Sequence, residues 1–149
     1  MTAPDTTTGL NRQFATFFMR DLFFGIEVHK VQEVLRSQEM TRVPLAPAVL
    51  RGLINLRGQI VAAIDMRQRL SLGPRTADQE PMNMIVRAED GAVSLLVDEI
   101  GDVIDVVSES YEPVPETMAP HLKQLVEGVY KLDGRLLLVL DTERTLQLQ

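Results

Sequence analysis

The stretch RGLINLRGQIVAAIDMR, residues 51–67, decides the fold of this chain. Its apolar run is interrupted by Arg57-Gly58, after which the residues alternate between two faces as in a β-strand. Both faces are largely apolar in the middle of that strand, which favours a barrel or a sheet covered on both sides. We expect Gly52 and Gly58 to serve a turn or a close backbone approach. The preceding APAVLRGLIN is interpreted as a short helix or a turn that leads into the strand.

A second stretch, EGVYKLDGRLLLVLDTE (residues 127–143), repeats this pattern without a gap. Upstream, VHKVQEVL (residues 28–35) has the same order of apolar and polar residues as VDEIGDVI, 69 positions later. We interpret these matches as a tandem duplication whose two lobes pack together and leave a groove between them. The matching residues of the longer stretch are Gly128, Leu132, Gly134 and Asp141, each 76 positions after Gly52, Leu56, Gly58 and Asp65.

The rest of the chain is mostly typical of strands. QFATFFM and LFFGIEV predict a hairpin across Arg20-Asp21, and MNMIVRAEDGAVSLLVDEI and KLDGRLLLVLD predict two more. The cluster Phe17, Phe18, Phe23 and Phe24 is expected in the core. Only APHLKQLVEG and TERTLQLQ favour helices. We therefore predict an all-β fold, mainly β with short helices.

The domain organisation follows from the repeat. We expect a flexible tail over residues 1–13 and one domain over residues 14–146. Its lobes would span about 14–72 and 82–146, joined by a linker over 73–81, with the exchange of a strand between them left open.

Composition narrows the class of function. The formal charge is −6, and no cluster of Lys and Arg exceeds a pair, which argues against binding to a nucleic-acid backbone. No apolar run approaches the roughly 20 residues that cross a bilayer, and the polar N-terminus does not resemble a secretory signal. The chain has no cysteine, which fits a reducing cytoplasm. Protein partners are therefore expected.

At KVQEVLR, RGLINLRGQIVAAIDMR and VSLLVDEIGDVIDV, the chain resembles the CheW family of bacterial chemotaxis coupling proteins. The similarity runs from about Phe14 to Leu146 and centres on the INLRG element, which contains Asn55. The resemblance implies two five-stranded SH3-like barrels side by side, with no catalytic activity and no cofactor. It departs from the family at Ala62 and Ala63, where a proline and a larger aliphatic residue are common, and at the MRDLFF turn.

The resemblance also implies the partners. It suggests a scaffold that links the cytoplasmic tips of methyl-accepting chemotaxis receptors to the regulatory domain of the histidine kinase CheA, which is itself similar to CheW. Such a protein is cytoplasmic and reaches membrane-associated receptor arrays through these partners.

The same resemblance places Arg57 near Glu33 in the first lobe. A guanidinium in an apolar surround is normally paired, so we expect the two side chains to form an ion pair. This pair could simply fix the strand corner, or it could shape the edge of a partner surface, and the two roles are compatible. The equivalent residues of the second lobe, Asp133 and Asp102, are both acidic and cannot pair, so only the first lobe should carry this feature.

An apolar set near this pair is the candidate surface for a receptor's helical hairpin. Each member could equally be ordinary core. The residues of this set are Val31, Val34 and Leu35 in the first lobe and Ile100 and Val103 in the second.

Two other functions remain open at this stage. The chain could be a CheW-like paralogue that serves a type IV pilus or another chemosensory pathway. More remotely, it could be a small-molecule-binding or hydrolytic β-barrel protein that uses carboxylates such as Asp65 and Asp98. His29 and His121 lie far apart, without a carboxylate or cysteine at ligand spacing. The acidic cluster of Asp98, Glu99 and Asp102 is interpreted as solvated charge.

Overall fold

The computed structural model describes residues 11–147 and shows a chain made mainly of β-strands. Three helices of four residues each are present in this part: α1 (Met66–Arg69), α2 (Pro120–Lys123) and α3 (Thr142–Thr145). The predicted fold class is therefore confirmed. The strands are β1 (Asn11–Met19), β2 (Leu22–Glu27), β3 (Val31–Leu35), β4 (Leu50–Leu56), β5 (Gln59–Asp65), β6 (Met82–Ala88), β7 (Gly91–Val97), β8 (Glu99–Val107), β9 (Tyr111–Glu112), β10 (Val126–Leu132) and β11 (Arg135–Leu140).

The strands form two sheets that do not coincide with the two halves of the sequence. The five-stranded sheet, in the order β3-β6-β7-β5-β4, uses only residues 31–97. The six-stranded sheet, in the order β8-β1-β2-β11-β10-β9, combines residues 11–27 with residues 99–140. Each half of the repeat thus gives its first hairpin to the sheet of the other half.

This exchange moves the lobe boundaries away from those expected at about 14–72 and 82–146. The exchange arises because the last strand of each half pairs in parallel with a strand from the first hairpin of the other half. These parallel pairs are β5 with β7 and β11 with β2. Parallel neighbours need a long crossover connection. Residues 73–81 lie within that crossover, inside the five-stranded unit, instead of joining two lobes.

The sequence repeat is present in the strand register. Ala62 pairs with Val93, and Leu138 pairs with Phe24, which are equivalent positions under the offsets of 76 and 69 residues. The β4–β5 and β10–β11 hairpins also carry a bulge at the same place. The bulges lie between Leu50 and Gly52 and between Val126 and Gly128.

Each sheet closes on itself through the segment that follows one of its edge strands. After β3, Thr41 exchanges two backbone hydrogen bonds of 2.8 Å with Leu53 of β4. After β8, the short strand β9 pairs with β10 through Tyr111 and Tyr130. Because β9 is long enough to count as a strand, the second sheet has six strands where five were expected.

The predicted hairpins are present, and several of their turn residues have a positive φ. Arg57 has a φ of 54° and Gly58 a φ of 87°, the two left-handed positions that a type I′ turn requires. Gly134 also has a φ of 87°. In the β1–β2 turn, Arg20 adopts a φ of 55°, so this hairpin forms without glycine or asparagine.

The largest core lies between the two sheets and receives residues from both, including Phe17, Phe24, Met84 and Leu95. Each barrel also has its own interior. The six-stranded unit encloses an aromatic cluster with Phe14, Phe23 and Tyr130, whereas the smaller unit encloses aliphatic groups around Ile54 and Leu56. Two fused SH3-like units therefore share one central core. Phe18 is only partly buried, so the predicted aromatic core holds for three of its four members.

Two further expectations need correction. APAVLRGLIN is a turn only in its first part, because β4 begins at Leu50. The predicted tail 1–13 ends too late, since residues 11–13 pair with β8 and Arg12 is bonded to Glu27. The remainder of that tail lies outside the described residues. Within the described range, no helix is long and apolar enough to cross a membrane.

Candidate protein-binding surface

Arg57 lies at the tip of the β4–β5 hairpin and contacts Glu33 on the edge strand β3. Its Nη2 atom donates a hydrogen bond to Glu33 Oε2. The Arg57 side chain is 66% exposed and that of Glu33 is 24% exposed, so the guanidinium is not in the apolar surround that we expected. Because β3 and β4 are the two edges of the sheet, this ion pair links both edges at the mouth of the barrel.

The tip is supported by a hydrogen bond within the turn and by a hydrophobic cluster beneath it. Asn55 Oδ1 accepts a hydrogen bond of 2.9 Å from Gly58 N, which fixes the turn geometry. Leu56 is buried against Val61 and Ile85, and Leu35 of β3 packs on the same cluster. The turn therefore presents Arg57 from a supported position.

Gly52 lies at the other end of the same strand and has a different role. A Cβ atom there would lie 2.8 Å from the carbonyl oxygen of Thr41. The strand that closes the barrel can approach this closely only because residue 52 has no side chain.

The second half presents a different tip. Asp133 and Asp102 are both exposed, and no ion pair involves either residue in the part of the chain that the structure describes. Asp102 instead contributes its backbone carbonyl, which accepts a hydrogen bond of 2.5 Å from Thr16 Oγ1. The two tips thus carry opposite charges at equivalent positions of the repeat, and their turns differ, because Arg57 has a positive φ and Asp133 does not.

The apolar candidates divide into two groups. Val31 and Ile100 pack partly against the shared core, and Leu35 packs against the interior of the smaller barrel. Val34 and Val103 occupy equivalent positions on the edge strands β3 and β8, and they remain 38% and 54% exposed. Among the five apolar candidates, only these two valines are exposed to solvent.

Two further exposed aliphatic residues were missed in the sequence. Ile60 is 62% exposed and Leu136 is 38% exposed, and they are equivalent residues just after the two turn glycines. By strand alternation, Ile60 shares a face with Ala62 and Ile64. Further along the strand this face covers the shared core, but near the turn it extends beyond the core. The closeness of Ile60 to Gly58 was therefore the sequence feature that could have predicted its exposure.

A buried ionic network lies at the opposite end of the β4–β5 hairpin. The Arg67 side chain donates three hydrogen bonds to Asp98: Nε to Oδ1 at 3.0 Å, Nε to Oδ2 at 3.1 Å and Nη2 to Oδ2 at 2.8 Å. Arg75 Nε lies 3.0 Å from Asp98 Oδ1, and Arg75 Nη1 lies 3.4 Å from Asp65 Oδ1. All four side chains are 10% exposed or less. The interpretation of Asp98 as solvated charge was therefore wrong.

The network sets the ionisation of Asp98 and fixes the connection to β6. Burial raises the pKa of Asp98, but hydrogen bonds from Arg67 and Arg20 N, together with the charge of Arg75, hold it below its ordinary value. Arg75 belongs to the predicted linker 73–81, and its Nη2 donates to Leu96 O at 3.1 Å. This segment is thereby attached to the β7 strand.

The same geometry argues against a hydrolytic or ligand-binding role for Asp65 and Asp98. Both carboxylates already accept hydrogen bonds from arginines of the chain itself. Among residues 11–147, no group of three or more His, Cys, Asp or Glu side chains is arranged to hold a metal ion. The acidic residues of this region therefore stabilise the fold.

Comparison with known proteins agrees with this architecture. Residues 13–149 match the CheW-like domain family. The chain is 32% identical over 130 residues to the chemotaxis protein CheW of Bacillus subtilis, covering 87% of this chain and 83% of the relative. It is 28% identical over 133 residues to the probable chemotaxis protein CheW of Rhizobium etli, covering 89% and 86%.

A solved structure is similar as well. The crystal structure of the scaffolding protein TtCheW from Thermoanaerobacter tengcongensis superposes with a TM-score of 0.80 at 27% identity, covering 89% of this chain and 90% of that one. The family match, these relatives and the two fused SH3-like units all lead to the same conclusion. The chain belongs to the CheW-like domain family.

Proposed function

We propose that this chain is a chemotaxis coupling adaptor that holds the regulatory domain of the kinase CheA and the cytoplasmic tips of chemoreceptors in one complex. Its relatives are named as chemotaxis proteins, and the similar solved structure is a scaffolding protein. Members of this family are scaffolds and not enzymes. The adaptor would work in the cytoplasm and join receptor arrays through its partners.

One observation carries this proposal most directly. Val34 and Val103 are equivalent residues on the two edge strands, and both are exposed while their neighbours Val31 and Ile100 are packed. An exposed aliphatic side chain on a rigid strand offers apolar area at little entropic cost. Two such strands beside one shared core support a surface that receives the apolar face of a helical hairpin.

The Arg57–Glu33 pair supports the proposed contact with the kinase domain. A supported turn with an exposed arginine next to the exposed Ile60 combines a charge with apolar area. Arginine is enriched among the residues that dominate binding energies. We assign this tip to the kinase domain.

The test is an isothermal titration of the protein with the regulatory domain of CheA from the same organism. Arg57→Ala is expected to weaken binding about tenfold, in the range seen for interfacial arginines. Asp133→Ala is the matched control, because it changes the equivalent position on the other hairpin, and it should leave the affinity within about twofold. Circular dichroism would check that both variants stay folded.

Two results would contradict the proposal. Equal effects of the two substitutions would remove the special role of the first tip. The absence of saturable binding by the wild-type protein, both to this domain and to a receptor tip, would refute the adaptor function.

A further inference from the structure

Leu45 is a fully exposed leucine in a backbone conformation that leucine rarely adopts. It is 104% exposed and has a φ of 66°. Pro44 precedes it, and Ala46 N donates to Val43 O at 3.3 Å, so residues 43–46 form a turn of the type II kind. The third position of such a turn is normally glycine or asparagine, because its φ is positive. A leucine there adds strain and gains no packing against any residue that the structure describes.

This turn borders an open cleft of about 640 Å³ at the end of the barrel opposite Arg57. The cleft is reached between the β3–β4 loop and the start of α1, since its lining includes both loop residues and Gln68. Apolar side chains from Met40, Val43 and Leu50 contribute to its walls. Leu45 therefore stands at the rim of a partly apolar recess.

The charge around the turn is opposite to that of the whole protein. Residues 36–51 contain three arginines and one glutamate in a chain of net charge −6. Arg42 is exposed and has no ion pair within residues 11–147, while the side chain of Arg51 is 61% exposed although it contacts Asp65. Such a patch attracts a surface that carries carboxylates.

We propose that Leu45 is an anchor residue that inserts into an apolar pocket with an acidic rim on the CheA regulatory domain. This inference rests on the proposed function and adds a second contact at the far end of the same barrel. A protruding side chain needs a concave receiver, which a globular domain offers and a convex helical hairpin does not. Strain retained at an exposed position is accounted for by such a contact.

The decisive variant is Leu45→Gly, because it removes the side chain and relieves the positive φ together. The melting temperature should stay the same or rise, while the dissociation constant for the CheA regulatory domain should increase about tenfold. Ser71→Gly is the matched control, since Ser71 is also exposed, with a φ of 57°. It should alter stability in the same direction and leave binding unchanged. Leu45→Asn keeps the turn by another route and should also weaken binding.

The charge component is tested by Arg42→Glu, titrated at low and high salt. Weaker binding at low salt, with a smaller difference at high salt, would support the acidic rim. Unchanged binding of Leu45→Gly, while Arg57→Ala is weakened, would overturn the anchor and leave the proposed function standing. A loss of affinity for a receptor tip, with full affinity for the kinase domain, would also overturn it. If the wild-type protein does not bind the kinase domain, this proposal falls together with the kinase contact.

Discussion

Replacing Asp98 with asparagine removes the negative charge at the centre of the buried network. Apart from what the neutral asparagine oxygen can still accept, Arg67 then keeps a long side-chain hydrogen bond of 3.3 Å to Pro74 O, whereas Arg75 keeps Asp65 and Leu96 O. Removing one partner of a buried pair costs about 3–5 kcal/mol. Because asparagine preserves shape and some hydrogen bonding, we expect a loss of about 3 kcal/mol, or a fall in Tm of about 6–12 °C.

The assay is urea unfolding, followed by circular dichroism and analysed by linear extrapolation. Glu99→Gln is the matched control, because Glu99 is adjacent, exposed and free of ion pairs in the described part of the chain. It should change the free energy of unfolding by less than about 0.5 kcal/mol. If Asp98→Asn costs less than about 1 kcal/mol, the attraction within the network merely offsets its desolvation and our reasoning is wrong.

The pH dependence gives an independent check on the same residue. The pKa of Asp98 is lower in the folded protein than in the unfolded chain, so ionised Asp98 stabilises the fold above the unfolded value of about 3.9. That contribution is lost as the pH falls through the lower folded pKa. The stability difference between wild type and Asp98→Asn should therefore shrink steadily below about pH 4. A difference that stays constant down to pH 2 would exclude the electrostatic explanation.

Two further predictions concern Glu127, the counterpart of Arg51 in the repeat, and the glycines of the β4–β5 hairpin. Burial raises the pKa of Glu127, and the carboxylates of Asp141 and Glu27 raise it further, against the opposing charge of Lys30. Glu127 corresponds to Arg51 in the repeat. The Glu127→Arg variant should therefore be more stable by up to about 1 kcal/mol, because the new arginine can pair with Asp141. A lower urea midpoint for this variant would contradict that pairing. Gly52→Ala should cost about 1–3 kcal/mol, because its Cβ meets Thr41 O, whereas Gly58→Ala, at a φ of 87° in open space, should cost about 1–2 kcal/mol by backbone strain. A Gly52→Ala, Thr41→Gly double variant tests the first cause: because the clash is with the backbone of residue 41, removing the Thr41 side chain should restore no stability, and a recovered urea midpoint would contradict it.

Local patterns in the sequence were enough to predict the hairpins and the repeat. Alternation after Gly58 and the turn chemistry of Asp133-Gly134 depend on neighbouring residues only. The ion pair between Arg57 and Glu33 was expected from the family resemblance, but the exposure of Arg57 was not, because a turn residue and a strand residue look alike within an apolar run.

Long-range pairing could not be read in the same way. The partner of Asp98 is Arg67, 31 positions away, and nothing in either neighbourhood specifies the other. The exchange of hairpins was also beyond the local pattern, since β2 and β7 have the same apolar character and either could complete either sheet. Leu45 shows a further limit, because a leucine after proline gives no sign of a positive φ.

The distribution of strands has a consequence for the order in which the protein is completed on the ribosome. The five-stranded unit uses residues 31–97 only, so all its strands are available before β8 to β11 have been made. The hairpin β1–β2 is synthesised before that unit, yet its neighbours β8 and β11 are synthesised after it. During translation, the face of this hairpin that carries Phe14 and Phe23 therefore remains uncovered until Val106, Tyr130 and Leu137 have been made. This aromatic face is thus the part of the six-stranded unit that stays open longest to non-native association while the protein is being made.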